Sequence, residues 1–600
     1  MKRLPVPPLP QTMRRYVETV APLLDARQLA ATRAAVDAFE SGDGPACQEA
    51  LEAFADVEHA AGRNWMSQAW LAGYFATRGA LPLTSNVAFH VRWDSTRMGL
   101  SLAADVIASF ADVYLAHLRG DAPPDRSARG DVLCQLTWEF LGGAIRHPRP
   151  GQDVFAPGRS EAARREVIVL HRGRAVALPV SDDKGRLLSR AAIEDALRGI
   201  GGVTAPLTPA FTAPGYLGGD AAAAFLDDLL GTADNVAAYD RLRDSLFVVH
   251  LLDGAAGVPE RLHQTGFERD QGYPFKPVTL QVSLAEDAFV GLQIEHSTMD
   301  GGAIGAVIGR AQQASAHAAH PCRPAASDPE PCDATDGARP AAEVTPAGTG
   351  GAGPSGRPTP VAWTFTPAQE ATLAAALAAY DESASGYRVR IVTAPVCWTA
   401  ERSAALPFRL SHDACQQLVM LYAQLRTYGR VRSTYESVDM REYQAGRTEC
   451  LRPNTAAAVT FVDALARGEA TVDLLRAAFD AHRHQVKVCK SGQAIDRHLF
   501  GLRQMADRDG YRMPLVDDAG YRALTTDFLS TTSLGDQSRI VRAAFAPTSP
   551  GGIGVYYTPT PHGAYEFCLN YDERTCERIE EFAQALGDGT AALFALLAKV

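Results

Sequence analysis

The residues with the clearest capacity for chemistry lie in one short run, Glu295-His296-Ser297-Thr298-Met299-Asp300-Gly301-Gly302. An imidazole held in a glycine-flanked turn just after a strand can project into a cleft. With an ordinary pKa of about 6.5 it can take a proton at neutral pH. Asp300, four residues on, could fix a neighbouring arginine or the loop itself. A second run, Leu529 to Ser533, offers consecutive hydroxyls at Ser530, Thr531, Thr532 and Ser533. Hydroxyls at a strand end can donate to one developing oxyanion, an interaction that often dominates acyl transfer. Thr434-Tyr435-Glu436-Ser437 is followed by Arg441 and by Gly446-Arg447-Thr448-Glu449-Cys450, and Asp496-Arg497-His498-Leu499 lies further on. Arg497 has the planar fork needed to grip a carboxylate with two hydrogen bonds. Each run on its own also fits an ordinary structural role, as a solvated turn or an ion-paired arginine.

Positioning these groups calls for a mixed α/β framework. Residues 11–80 carry apolar residues near the helical spacing. Between about 130 and 300, strand-like and helical segments alternate. Val167–Leu170 reads as a buried strand and Arg190–Ile200 as a helix. Val278, Leu280, Val282 and Leu284 alternate with polar residues. With Phe289–Ile294 they predict a hairpin that delivers His296. Residues 314–359 are dense in Ala, Pro, Gly and Ser and predict a linker or disordered insertion. The formal GxGxxG at Gly348–Gly353 has no strand before it and no helix after it, so no dinucleotide site is expected there. Beyond it come a helix over Asp413–Leu425, strands at Ile540–Phe545 and Ile553–Tyr557, and a helix near Glu573–Leu586. The expected organisation is an N-terminal helical segment (1–80) packing on the C-terminal domain, a domain with the histidine (81–313), the linker (314–359) and a C-terminal domain (360–600).

Composition excludes several classes. The chain has 600 residues, 46% hydrophobic and 21% charged, so it can build more than one core. A net charge of −11 argues against a dedicated nucleic-acid binder. Six lysines among 58 basic residues leave 52 arginines, a bias that also predicts Arg where related chains carry Lys. Ten scattered cysteines form no CxxC pair, so neither a zinc motif nor a metal is expected and a reducing compartment is. There is no apolar leader and no long uncharged apolar run, which predicts a cytoplasmic protein without integral membrane association.

Taken together and in order, these runs resemble the choline/carnitine O-acyltransferase family. Leu4 to Leu9 (LPVPPL) and Ala21 to Leu24 are similar to its N-terminal signature. Glu295-His296-Ser297 with Asp300-Gly301, Thr434–Ser437, Gly446–Thr448, Asp496–Leu499 and Leu529-Ser530-Thr531 are similar to its further motifs and fall in family order. The resemblance implies an α/β fold of two chloramphenicol-acetyltransferase-like domains with an active-site tunnel between them. It also implies reversible acyl transfer between a coenzyme A thioester, a co-substrate rather than a permanent cofactor, and an alcohol. His296 would be the general base and no acyl-enzyme would form; Asp300 is counted with it among the catalytic residues.

Ser530 and Thr532 match the first and last positions of the family's Ser-Thr-Ser motif. Thr532 departs by one methyl, and Ser533 would take its role if the register were shifted by one. Carnitine-type members hold the acceptor's carboxylate with an Arg, a Tyr and a Thr, matched here by Arg497, Tyr435 and Thr448. Choline-specific members resemble Asn and Val at the Arg and Thr positions, so carnitine is the expected acceptor. The coenzyme A positions are matched less fully by Arg402, Arg409 and Asp413, with Leu406 where a lysine is usual and His412 in place of a proline. That departure leaves an acyl-carrier protein's phosphopantetheine as an alternative donor. A non-catalytic binding module on the same fold is opposed by the intact His and hydroxyl runs. An acyltransferase of the condensation-domain or plant type is opposed by the ordered family motifs.

Overall fold

The computed structural model describes residues 1–159, 164–200, 206–319, 357–396 and 398–600. Two mixed sheets organise the chain. The eight-stranded sheet runs in the order Ile540–Phe545, Val87–Val91, Val290–Ile294, Val278–Ser283, Val248–Leu252, Glu166–His171, Arg174–Pro179 and Thr359–Val361. The six-stranded sheet runs Tyr387–Pro395, Ala564–Asp572, Ile553–Pro559, Leu529–Thr532, Thr434–Asp439 and Thr448–Leu451. The expected hairpin is present: Val278–Ser283 pairs antiparallel with Val290–Ile294, both buried on both faces, and releases the chain at Glu295.

The helix Gly99–Leu118 is long and apolar enough to cross a membrane, yet it is the centre of the first core, with Val106, Ile107 and Phe110 fully buried. The helix His412–Tyr428 backs the second sheet through Val419, Met420 and Ala423. The N-terminal helices close a third core against Val438, Met440, Leu451 and Leu499.

The expected domain boundaries need correction at three points. The helix Gly301–Ala319 continues past 313, because Ile304, Val307, Ile308 and Ala311 bury one face into the first core. The C-terminal half does not begin at 360. Thr359–Val361 pairs with Arg174–Pro179, and Trp363, Leu373, Leu377 and Tyr380 pack on Ile168 and Phe211 of the first half. Conversely, Ile540–Phe545 leaves the second half to pair with Val87–Val91 on the edge of the first sheet. The halves are therefore stitched by one strand of the second half that joins the first sheet. The final helix is Ile579–Leu597 rather than Glu573–Leu586, because Glu573 follows the unforeseen strand Ala564–Asp572. Of the insertion, 320–356 with its GxGxxG run lies outside the described residues.

One buried ion cluster joins the first half to the turn that follows its hairpin. Arg146, with a fully buried side chain, donates to Asp153 (2.7 Å), to Glu295 (3.0 Å) and to the carbonyl of Tyr74 (2.9 Å). Glu295 also accepts from the amide of Ser297 (3.2 Å) and from its hydroxyl. Removing one member of such a cluster leaves uncompensated buried charge, at about 3–5 kcal/mol. Arg146→Met should lower stability by about that amount in denaturant unfolding. A loss under about 1 kcal/mol would mean that water or rearrangement satisfies Glu295 and Asp153.

Candidate active site

His296 sits in the turn between the strand Val290–Ile294 and the helix Gly301–Ala319. Its Nδ1 lies 2.7 Å from the carbonyl oxygen of Met299. A carbonyl only accepts, so Nδ1 carries the proton in the neutral ring and Nε2 presents its lone pair. The ring is 26% exposed and faces a cavity of about 310 Å³ lined from both halves. The Tyr74 ring packs 5.4 Å away, centroid to centroid. Asp300 is 3.7 Å from Nδ1, beyond hydrogen-bond distance. Its partner is instead Arg447, whose Nε donates at 2.6 Å and whose Nη2 donates at 3.1 Å. Burial pushes the Asp300 carboxyl up, and the Arg447 charge more than reverses this, so that it lies below the usual range. Asp300 is thus a positioning residue.

Arg447 holds the His296 turn and was not singled out from the sequence, although it stands inside a quoted motif. It crosses from the second half and also donates to the carbonyls of Ser297 (2.7 Å) and His296 (3.0 Å). The one available signal was the expectation that Asp300 would hold an arginine. Trp70 and Tyr74 were likewise not singled out; both come from the N-terminal helix Ser67–Phe75 and line the cavity.

The hydroxyl run forms a strand, Leu529–Thr532, parallel to both Thr434–Asp439 and Ile553–Pro559. Strand alternation sends neighbouring side chains to opposite faces. The Thr531 hydroxyl donates to the carbonyl of Tyr435 (2.7 Å) and accepts from Gln417 (3.0 Å). Ser530 and Thr532 line the cavity, and their hydroxyls make no hydrogen bond among the described residues. Ser533 is not part of the cavity wall.

Tyr435, Thr448 and Arg497 come together at the same cavity. Arg497 donates to the Tyr435 hydroxyl (3.1 Å), to the Thr448 hydroxyl (3.3 Å) and to the Thr448 carbonyl (2.9 Å). Tyr435 and Thr448 line the wall, while Arg497 lies behind them with its guanidinium 4.0 Å from the Trp70 ring centre. Its sequence neighbour Asp496 does not neutralise it, because Arg452 holds that carboxylate at 2.5 Å. The nearest acid is Glu449, at 4.0 Å. Burial pushes Glu449 up to about 7, while the Arg497 charge pulls the other way. The pocket behind the cavity therefore holds a permanent cation whose counter-ion is only partly ionised at neutral pH.

Arg402, Arg409 and Asp413 are not part of this cavity wall. Arg402 lies over the Trp398 ring at 5.8 Å, and Arg409 is exposed in the segment leading to the helix His412–Tyr428. Asp413, in the first turn of that helix, accepts from the Tyr557 hydroxyl (2.8 Å) and lies 2.9 Å from Nε2 of His482. This is the face of the second sheet that packs on the helix, away from His296.

The cavity therefore brings together an imidazole with a free lone pair, two hydroxyls without hydrogen-bond partners among the described residues and, behind its wall, a permanent cation, a set that suits acyl transfer to an alcohol. The choline/carnitine O-acyltransferase family model matches residues 4–588. Carnitine O-acetyltransferase of Homo sapiens is 25% identical, over 93% of this chain and 87% of that protein. Mitochondrial carnitine O-palmitoyltransferase 2 of Bos taurus is 24% identical, over 93% and 86%. Choline O-acetyltransferase of Danio rerio is 24% identical, over 95% and 88%. These relatives differ in acceptor and in acyl group, so likeness to them selects neither. With its family signature spanning nearly the whole chain, the protein belongs to the choline/carnitine O-acyltransferase family and is an O-acyltransferase.

Proposed function

We propose that the enzyme transfers an acyl group reversibly between a coenzyme A thioester and the hydroxyl of carnitine, with His296 as general base and without an acyl-enzyme. The observation that carries the acceptor is the receptor of Tyr435 and Thr448 hydroxyls backed by Arg497. Choline has no carboxylate to place there. Nε2 of His296 takes the carnitine hydroxyl proton as that oxygen attacks the thioester carbonyl. Thr532 donates to the oxyanion. The carbon–sulfur bond then breaks, and the imidazolium returns its proton to the leaving thiolate. Arg402 and Arg409, exposed beside the start of the helix His412–Tyr428, supply positive charge for the donor's nucleotide. We place the enzyme in the cytoplasm, where its described cysteines, all buried thiols, would stay reduced.

His296→Ala should lower turnover by roughly 10²–10⁴ with the fold intact. Thr532→Ala should lower it by roughly 10²–10³, and Ser533→Ala should have little effect. Near-normal turnover in folded His296→Ala would remove the mechanism, and damage from Ser533→Ala alone would move the oxyanion donor by one residue.

The acceptor assignment predicts a selectivity change. Loss of one partner of a desolvated charge pair costs roughly 2–5 kcal/mol, or about 30- to 4,000-fold in efficiency. Arg497→Asn should impose that loss on carnitine and spare choline, whereas equal losses for both would show Arg497 to be structural. Glu449 adds a pH dependence. Below about 7 it is neutral and leaves the Arg497 charge uncancelled; above about 7 its carboxylate competes with that of carnitine. Carnitine affinity, measured by calorimetry without thioester, should therefore weaken as pH rises through 7. Glu449→Gln should flatten that profile, and a flat profile in the unsubstituted enzyme would refute the coupling.

A further inference from the structure

The N-terminal helices and the loop that leads into Arg447 meet at one side chain. Asn64 stands just before the helix Ser67–Phe75, which brings Trp70 and Tyr74 to the cavity. It is 4% exposed, and its neighbours Trp65 and Met66 are anchored in the third core. Its Oδ1 accepts from the backbone amides of Met66 and Ser67, both at 2.9 Å, as a residue capping the start of a helix does. Its Nδ2 donates to the carbonyls of Gln444 and Ala445, again both at 2.9 Å. Donors face one end of the side-chain amide and acceptors the other, so all four of the bonds it can make are made.

The loop at the far end, residues 440–447, depends on that contact. The Met440 amide donates to the Arg447 carbonyl (2.9 Å) and closes the loop. Within it Ala445 takes a left-handed backbone, with φ 50°, which residues other than glycine seldom adopt. Among the described residues neither the Gln444 nor the Ala445 carbonyl has a donor other than Asn64. Gln444 is also held from the N-terminal side. Its amide donates to the carbonyl of Lys2 (2.8 Å), and its side chain to those of His59 (3.3 Å) and Arg63 (3.4 Å).

We propose that Asn64 is a positioning residue for the acyl transfer. By satisfying the Gln444 and Ala445 carbonyls it keeps the left-handed turn closed, and the turn aims Arg447 at the segment that carries His296. The inference rests on His296 being the general base proposed above. The same side chain starts the helix that carries Trp70 and Tyr74, so it sets that wall of the cavity and the support of the base in one register. Aspartate caps a helix equally well, but its second oxygen would face two carbonyls, which only a donor can satisfy. No motif marks the pair, because Asn64 and Gln444 are 380 residues apart.

The two roles of Asn64 can be separated. Asn64→Asp keeps both bonds to the helix amides and loses both bonds to the loop. Asn64→Ser keeps a cap on a side chain too short to reach the loop, and serves where the aspartate variant does not fold, as judged by circular dichroism. Full-length protein should be assayed with acetyl-coenzyme A and carnitine. Each folded variant should lose about ten- to hundred-fold in kcat, the scale of a small misplacement of a catalytic group, with little change in the KM for the thioester. Asn64→Asp combined with Arg447→Gln should be little worse than Arg447→Gln alone, because both act along one route. Independently of any substrate, amide hydrogen exchange in Asn64→Asp should quicken in residues 440–447 and stay unchanged in the helix Ser67–Phe75. Near-normal turnover in folded His296→Ala would strike the proposal together with the mechanism beneath it. Unchanged kcat in the folded Asn64 variants beside an impaired His296→Ala would strike this proposal alone. Additive losses in the double variant, or exchange that quickens in the helix and not in the loop, would also overturn it.

Discussion

A single guanidinium sets the geometry on which the candidate site depends. Arg447 reaches from the second half into the first, grips both oxygens of Asp300 and caps the carbonyls of His296 and Ser297. Those four hydrogen bonds fix the turn after the hairpin, and the turn in turn places the Met299 carbonyl against Nδ1 of His296. Gly446, just before it, is required by a close approach: a Cβ there would run into the carbonyl of Met440, so no other residue permits the turn that aims Arg447. Burial opposes the arginine's charge and Asp300 restores it, which makes the pair a fixed strut rather than a titrating one. On the other side, Glu295 is tied through Arg146 to the carbonyl of Tyr74, so the cavity wall and the turn that carries His296 share one support.

The same device recurs around the site. Arg452 neutralises Asp496 and also binds Asp527, which frees Arg497 from its own sequence neighbour. Arg497 then spends its donors on Tyr435 and Thr448, leaving their hydroxyls oriented towards the cavity. The compositional bias towards arginine is thus put to use in places where a planar fork with several donors is needed, and where lysine, a point charge, would satisfy fewer partners.

What could be read from the sequence was whatever is encoded locally. Alternation in Val278–Leu284 announced the hairpin, and the hairpin announced where His296 would emerge. Alternation also explains why Ser530 and Thr532 share a face while Thr531 turns away. Pairing between distant segments was not legible. Nothing in Ile540–Phe545 says that it joins the first sheet, and nothing in Thr359–Val361 says that it closes the far edge of that sheet. Arg447, Trp70, Tyr74 and Glu449 escaped for the same reason: each matters through a partner many residues away. The matched motifs identified the family, while the long-range pairs specify how the matched residues work.

The central claim is that Arg447 and Asp300 act as one unit to position His296. A double-mutant cycle measures this directly, using Arg447→Gln, Asp300→Asn and the pair, with kcat and KM determined for each. Contacting residues of one network typically show coupling of about 0.5–3 kcal/mol. The account predicts that either substitution alone lowers kcat more than it raises KM, and that the double variant is little worse than the more damaged single one. Additive losses, or losses confined to KM, would contradict it.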